Sequence, residues 1–488
     1  MGRNSMNFFV NEAMGIGNSG VEHAQFYRAK RFNQVGLPYK FIFMGLVNNL
    51  HEAMDKWDLK DDQVINIWEF LVYGNDYAMH GLEKRVEATS STVVDSTNTT
   101  RITNNLTTSN MRIIKHFVKY PNPKKEKHLL VSVDRVEIFN GDTNQRKVMY
   151  SEVPNPHGNG EFEIRNIHLY DQENHEQLFF PNLVQLRRYF FHRLERLFEG
   201  ENVFILDRGE PNEVALMDDE PNPRRKIVAI VHADHLSDRN DPQNPLWNNH
   251  YEYTLSHLTK VDRLVVATEL QRQDLLIDFP EYQNKIVTIP VGGVSDTLPQ
   301  LKAQKKHDGL RLTTLSRLAE EKHIDLIVQA VINLHQKGIK VSLDIYGAGG
   351  EKGKLKDLIK ENDAESYVEL KGLTHHADQV YPLYDAFVSA SYSEGFGLTY
   401  IEALNAGLPV VTFNARFGAM EMIQDGYNGY SYDFKRDDTD FNVKQLEAGI
   451  ERLTNTDIPQ MQKAVLESVE KFRNHVIADK WRTMIDEL

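Results

Sequence analysis

Short apolar runs alternate with polar, helix-length stretches along this chain, and the pattern changes character twice. At the N-terminus the run MNFFV leads into the glycine-rich turn MGIGNSG. The amphipathic stretch VEHAQFYRAKRFNQVG follows, then a second apolar run, YKFIFMG. This order predicts a strand–helix–strand start. From about Leu50 to Phe180 the pattern predicts alternating strands, such as HLLVSVDRVEIF and EFEIRNIHLY. Two Asn-Gly pairs, Asn140-Gly141 and Asn159-Gly160, lie between such runs and predict tight hairpins, because they supply positive φ angles. Within this region, Ala88 to Asn110 is rich in Ser, Thr and Asn and predicts a mobile loop.

The strand–helix alternation then resumes. PNLVQLRRYFFHRLERLFEG predicts a helix opened by Pro181 and closed by Gly200. The strands VFILD and KIVAIVH, the helix LWNNHYEYTLSHL, and the strands RLVVAT and IVTIPVG follow. From Leu310 a second block begins, with strands LRLTTLS, VSLDIYG, YVELKG, AFVSAS and PVVTFN separated by helices. Strands alternating with helices indicate parallel sheets. The fold class expected is therefore α/β, with two doubly wound domains and a β-rich insertion in the first. In such sheets ligands bind beyond the carboxyl ends of the strands. The expected division is residues 1–50 and 181–298 for the N-terminal domain and 51–180 for the insertion. Residues 299–470 would form the C-terminal domain and 471–488 a final helix.

Length and composition narrow the classes. At 488 residues, a prior of about 150 residues per domain suggests about three domains. Hydrophobic residues are 41% and charged residues 26%, enough apolar material for large cores. No apolar run is long enough to span a bilayer, and the opening residues lack a signal-peptide stretch. The chain has no cysteine, which excludes disulfides, thiolate metal sites and cysteine nucleophiles. A cytoplasmic location is expected. In that setting the sequons at Asn98 and Asn105 carry no meaning. The formal charge of −14 speaks against a nucleic-acid partner.

Gly15-x-Gly17-x-x-Gly20 has the spacing of a dinucleotide-binding turn. A nicotinamide site needs an acid near the end of the second strand, and none follows FIFMGLV before Glu52. A dehydrogenase is therefore disfavoured. The turn can still offer bare backbone and a helix N-terminus to another phosphate, and a plain strand–helix turn would have the same spacing. SRLAEEKHID places Arg317 and Lys322 after the strand LRLTTL, where two cations suit a diphosphate. In SYSEGFGLTYIEALNAGLPVV, Gly395 and Gly397 open a helix with Glu394 at its mouth and Glu402 eight residues on. If fully helical, that span is about 12 Å. Retaining glycosidases hold their carboxyl groups about 5 Å apart. The pair therefore suits two ends of one extended ligand, a sugar at Glu394 and a ribose at Glu402. Asp438-Thr439-Asp440 reads as a solvated turn rather than a metal site. Strand alternation in VHADH would put His232 and Asp234 on one face, but a zinc site there is disfavoured.

EGFGLTYIEALNAGLPVV resembles the Glu-x7-Glu motif of retaining GT-B glycosyltransferases of family 4. SRLAEEKHID resembles their phosphate-binding loop and LDIYGAGGE their nucleotide-side turn. With GIGNSGVEHAQFYRAKRF, VHADH, VTIPVG and EKHIDLIVQAV, the chain resembles more narrowly the catalytic subunits of accessory-Sec O-glycosyltransferase complexes. The resemblance covers the first ~45 residues and most of Asn202 to Leu488. It implies a GT-B fold and a UDP-sugar-dependent protein O-glycosyltransferase, acting on a Ser/Thr-rich adhesin polypeptide before export. UDP-GlcNAc is the implied donor and UDP-glucose the alternative. The other readings kept open are a teichoic-acid glycosyltransferase and a non-catalytic acceptor-binding subunit. The insertion would dock a GtfB-like partner subunit. Neither a cofactor nor a metal is implied, and peripheral attachment to the cytoplasmic membrane face stays open.

Residue roles follow from the same resemblance. Glu394 would hold sugar hydroxyls with the backbone of Gly395, Phe396, Gly397 and Leu398. Glu402 would bind the ribose, and Arg317 and Lys322 the leaving diphosphate. Gly15, Gly17 and Ser19 would lie near the phosphates. Tyr346, Gly347 and Leu373 would flank the uracil. His232 would sit near the sugar; a packed histidine at a strand end is an equally good reading.

Overall fold

The computed structural model describes residues 5–17, 20–122, 125, 128–155, 161–171, 176–238, 246–299, 308–374 and 376–488. Ser19 and the Asn159-Gly160 pair lie outside the described residues. Two parallel sheets and one antiparallel sheet organise the chain. The first parallel sheet has seven strands in the order Ile286–Thr288, Arg263–Val266, Arg225–Val231, Asn202–Leu206, Met6–Asn11, Tyr39–Phe43, Val64–Asn66. Along Met6–Asn11, Phe8 faces one apolar cluster and Phe9 another, both fully buried. A sheet covered on both faces needs such continuous apolar runs, which is why MNFFV does not alternate with polar residues. The second parallel sheet has six strands: Val368–Gly372, Val341–Tyr346, Leu310–Leu315, Ala386–Val388, Val410–Phe413 and Gly429–Tyr432. The last of these, GYSY, has too little apolar patterning to be read from sequence.

Several local expectations are corrected. The segment after Leu50 forms helices Leu50–Lys56, Ile67–Tyr73 and Asn75–His80, and strand Val64–Asn66 extends the first parallel sheet. The antiparallel strands run from Thr89 to Asn182 as a seven-stranded meander in sequence order. The Ser/Thr/Asn-rich tract is a hairpin, Thr89–Asp95 paired with Thr100–Leu106, rather than a loop. Its second strand also pairs with Met111–Pro121, so the ladder outweighs the polar composition. Gly141 does not take a positive φ; Asn144 does, in a longer turn where the Asn140 side chain accepts from the N–H groups of Asp142 and Thr143. Helix Leu183–Leu197 is capped by Asn182, whose side chain accepts from Gln185 N–H at 3.1 Å, while Pro181 still belongs to the preceding strand. LWNNHYEYTLSHL is helical only over Glu252–Ser256.

The meander is anchored at one end. Ile113, Val136, Ile138, Val148 and Ile167 pack with Trp68 and Phe190 in the core of the first lobe. At its other end Val94, Val118, Tyr120, Leu129 and Val131 are exposed. The two lobes are joined through residues 290–294 and by the final helix. Val294 N–H donates to Phe472 O and Asn474 N–H returns to Val294 O. Helix Asn474–Asp486 then inserts Ile477, Trp481, Met484 and Ile485 into the first lobe, with Trp481 against Phe32.

Candidate functional site

The carboxyl edges of the two parallel sheets face a cavity of about 390 Å3. It is lined by Gly20, Val21, Arg208, His232, Val291, Ser316, Arg317, Lys322 and Gly395–Thr399 with Glu394. Glu394 lies between strand Ala386–Val388 and helix Leu398–Asn405. Its backbone is pinned on both sides: its N–H donates to Arg416 O at 2.9 Å, and its carbonyl accepts from Phe417 and Gly418 N–H groups at 2.7 and 3.0 Å. Gly418 is required there, because a Cβ would stand 1.7 Å from Phe396 O. Gly397 holds a left-handed conformation, φ 84°, as it turns the chain into the helix. The N–H groups that open this helix have no partner within it and add a positive end to the cavity wall.

Lys322 Nζ lies 2.6 Å from Glu394 Oε2, with both side chains largely covered. Its turn, Glu320–Lys322, follows strand Leu310–Leu315 and precedes helix Ile324–Gln336. Arg317 is far more open, 74% exposed, and pairs with Glu321 at 2.8 Å. Both cations border the same cavity, as SRLAEEKHID suggested, yet in different states. Lys322 is already neutralised by the carboxylate, while the Arg317 guanidinium is only lightly held at the rim.

The opposite wall belongs to the first lobe. His232 follows strand Arg225–Val231, and its Nε2 lies 2.8 Å from Asp207 Oδ1, at the end of the neighbouring strand Asn202–Leu206. Arg28 Nη1 and Nη2 reach the two Asp207 oxygens at 3.1 and 2.5 Å, and Gln25 donates at 2.6 Å. Burial pushes the Asp207 carboxyl up, but the Arg28 charge and the His232 hydrogen bond outweigh it and hold it down at about 2. A carboxylate only accepts, so His232 Nε2 must carry the proton. The backbone N–H groups of His232 and Ala233 both donate to Tyr251 Oη at 3.0 Å. His232 is thus both a satisfied histidine at a strand end and a wall of the cavity; the two readings do not compete.

Helix Gly20–Val35 begins at this wall. Gly17 and Gly20 would have nothing within 4 Å of an added Cβ, and none of Gly15, Gly17 or Gly20 has a positive φ. Backbone conformation requires none of these glycines; Gly17 and Gly20 leave bare backbone facing open space, while a Cβ at Gly15 would make ordinary contact with Gly17 O at 3.5 Å. Gly15 and Gly17 themselves stand outside the cavity lining, and the Gly15 carbonyl accepts from Trp57 Nε1.

The residues expected on the nucleoside side border a different stretch of the same edge. Gly347, φ 151°, would put a Cβ 1.9 Å from Ser316 O, and its N–H donates to Gly372 O. Leu373, 66% exposed, follows. Tyr346 meets Tyr384 hydroxyl to hydroxyl at 2.9 Å. Glu402 Oε2 accepts from Tyr381 at 3.2 Å. Surrounding protein pushes its carboxyl above the usual range although part of the side chain reaches solvent. The helix starts only at Leu398, so the fully helical span assumed between Glu394 and Glu402 is not present.

Asp438-Thr439-Asp440 is solvated but opens a helix instead of forming a turn: Asp438 is the cap, accepting from Phe441 N–H at 3.0 Å. The strand stops at Val231, so alternation does not govern His232 and Asp234; Asp234 accepts instead from Leu236 N–H. No group of three metal-binding side chains occurs among the described residues. Sequence reading missed Arg28, Asp207, Arg208, Val291, Ser316 and Thr399. Asp207-Arg208 had one visible signal, a charged pair directly after the apolar run VFIL.

Residues 300–463 match the family model described as glycosyl transferases group 1. Over 98% of both chains, the protein is 30% identical to the UDP-N-acetylglucosamine--peptide N-acetylglucosaminyltransferase GtfA subunit of Limosilactobacillus reuteri subsp. suis. Among solved structures, it resembles the pneumococcal O-GlcNAc transferase GtfA in complex with UDP and GlcNAc, with TM-score 0.70, 26% identity and 99% of both chains covered. It also matches a chain of a GtfA/B complex, with TM-score 0.74, 26% identity and the same coverage. Two facing doubly wound lobes, a cleft lined by Lys322 and Glu394, and full-length likeness agree: the chain belongs to the GtfA-subunit family of GT-B glycosyltransferases.

Proposed function

We propose that this chain is a retaining glycosyltransferase that moves GlcNAc from UDP-GlcNAc to Ser or Thr hydroxyls of a serine-rich adhesin polypeptide. The observation that carries the reading is the Lys322–Glu394 pair at a helix mouth inside the interlobe cavity, in a chain similar over its whole length to UDP-GlcNAc:peptide transferases. Glu394 and the backbone of Gly395–Leu398 would hold the sugar. Arg317 and Lys322 would face the diphosphate, and Glu402 the ribose. Tyr346, Gly347 and Leu373 would border the base, with Gly17 against the phosphates.

The acceptor hydroxyl attacks the anomeric carbon on the face the diphosphate leaves. The C1–O bond to UDP breaks as the new C1–O bond forms, and a β-phosphate oxygen takes the acceptor proton. No enzymic nucleophile is needed; positioning and charge carry the rate. The products are the O-glycosylated side chain and UDP. A GtfB-like partner would dock on the meander, whose far end exposes Val94, Val118, Tyr120 and Leu129. No helix among the described residues is long and apolar enough to cross a membrane. Action on a polypeptide before export would put the enzyme in the cytoplasm, free or attached peripherally to the cytoplasmic membrane face.

The test is a donor panel with mass spectrometry of a serine-rich acceptor, with and without the partner and with excess EDTA. Transfer of GlcNAc to the peptide, undiminished by EDTA, supports the reading. Preference for UDP-glucose would change the donor. Transfer only to a polyol-phosphate polymer would move the enzyme to teichoic acid. Acceptor binding with no donor consumed would make the chain a binding subunit.

A further inference from the structure

Helix Glu269–Asp278 of the first lobe touches both halves of the site. Its Gln271 side chain donates to Ala233 O at 2.8 Å, holding the residue next to His232. Its Leu270 N–H donates across the lobe boundary to Glu421 Oε2 at 3.0 Å. One turn on, both oxygens of Asp274 lie 2.6 and 2.7 Å from Arg416 Nη1 of the second lobe. Arg416 is the residue whose carbonyl holds the Glu394 N–H, and the next residue, Phe417, donates its N–H to Glu394 O. The Phe417 ring stacks on the His235 imidazole of the first lobe, 5.8 Å between centroids and 19° between planes. Gly395 approaches the same first-lobe loop so closely that a Cβ would stand 2.9 Å from His232 O.

Glu394 is therefore held by a backbone segment that is itself bound to the other lobe. We infer that Asp274 is a positioning residue: through Arg416 it sets where Glu394 stands relative to His232, so the carboxylate is in place only when the lobes keep this spacing. The partial burial of the pair supports a directing role, since Asp274 is 14% exposed and Arg416 39%. A pair open to solvent on both sides would be worth little. The placement of Glu394 follows from these contacts alone; its consequence for turnover rests on the donor-site reading above.

Two readouts separate these layers. Asp274→Asn keeps the size and removes the charge; Arg416→Gln removes the charge from the other side with a shorter side chain. Hydrogen exchange of the amides in 393–398, measured on the full chain without substrate, should rise at least about 10-fold in both variants, the loss of ~1.4 kcal/mol of local protection. Amides of strand Asn202–Leu206 should not change. In turnover, kcat should fall ~10- to 100-fold, as expected for a misplaced group, with UDP affinity unchanged. The charge-swapped double variant, Asp274→Arg with Arg416→Asp, should recover part of both losses. Unchanged exchange at 393–398 in both single variants overturns the inference, whatever the activity. Equally fatal is normal kcat with only a lowered melting temperature. A wild-type chain that turns over no UDP-sugar would sink the donor reading instead, and the exchange result would still decide the positional claim.

Discussion

Removing the charge of Asp207 tests the first lobe's wall of the site. In Asp207→Asn the Arg28 guanidinium, 2% exposed, loses its counter-charge. Whichever oxygen becomes the amide nitrogen, it turns a donor toward two donors: Arg28 and His232 at Oδ1, or Gln25 and Arg28 at Oδ2. Stripping one partner from a buried pair costs about 3–5 kcal/mol. All four tryptophans, Trp57, Trp68, Trp247 and Trp481, pack in first-lobe clusters, so their fluorescence reads the unfolding of this lobe. With a urea slope of about 3 kcal/mol per M, the midpoint should fall by roughly 1–2 M. The linkage has a definite sign. A carboxyl held at about 2 stabilises the fold above its unfolded value, near 3.9, and that contribution disappears as pH falls through about 2. Between pH 5 and 8 the variant's deficit should therefore be constant. Turnover should fall as well, because His232 loses the acceptor that orients its ring. Adding Arg28→Met to the variant should recover part of the stability by removing the stranded charge, without restoring activity. A midpoint shift below about 0.3 M, or a double variant as unstable as the sum of the singles, would refute the reasoning.

Three further outcomes follow from the geometry. Lys322→Ala and Arg317→Ala should each lower kcat/KM about 10²-fold, near 3 kcal/mol of transition-state stabilisation; normal turnover in both would remove the diphosphate assignment. Gly418→Ala drives a methyl to 1.7 Å from Phe396 O, so it should displace the Glu394 loop and abolish transfer. The tryptophan-reported midpoint should barely move, and an active enzyme would show that the loop yields cheaply. Burial, helped by Glu210 and opposed by Thr254, raises the Glu213 carboxyl to about 7. Its stabilisation is full below the unfolded value near 4.3 and is lost as pH rises through about 7, in total about 4 kcal/mol. Urea midpoints of Glu213→Gln should show a flatter fall between pH 5 and 8 than wild type; identical slopes would assign the titration elsewhere.

The parallel sheets were legible in the sequence because strands covered on both faces must be apolar throughout, and runs such as MNFFV and KIVAIV announce that directly. The meander was half legible. Its base alternates with period two against Trp68 and Phe190, but the Thr89–Leu106 hairpin is held by its ladder and has no buried face to announce it. Arg317, Lys322 and Glu394 could be found because one loop and one helix mouth carry their chemistry within short stretches. The His232–Asp207–Arg28 cluster could not, since its members stand 25 and 179 positions apart; parallel strand pairing brings Asp207 to His232, and helix Gly20–Val35 packed on the sheet brings Arg28. Local composition thus determined which segments become strands and which loops carry charge. Tertiary packing alone decided which charges meet, because a buried carboxylate finds its partners through space. The Asp274–Arg416 contact, which ties the segment next to Glu394 to the first lobe, exists only where the two lobes meet.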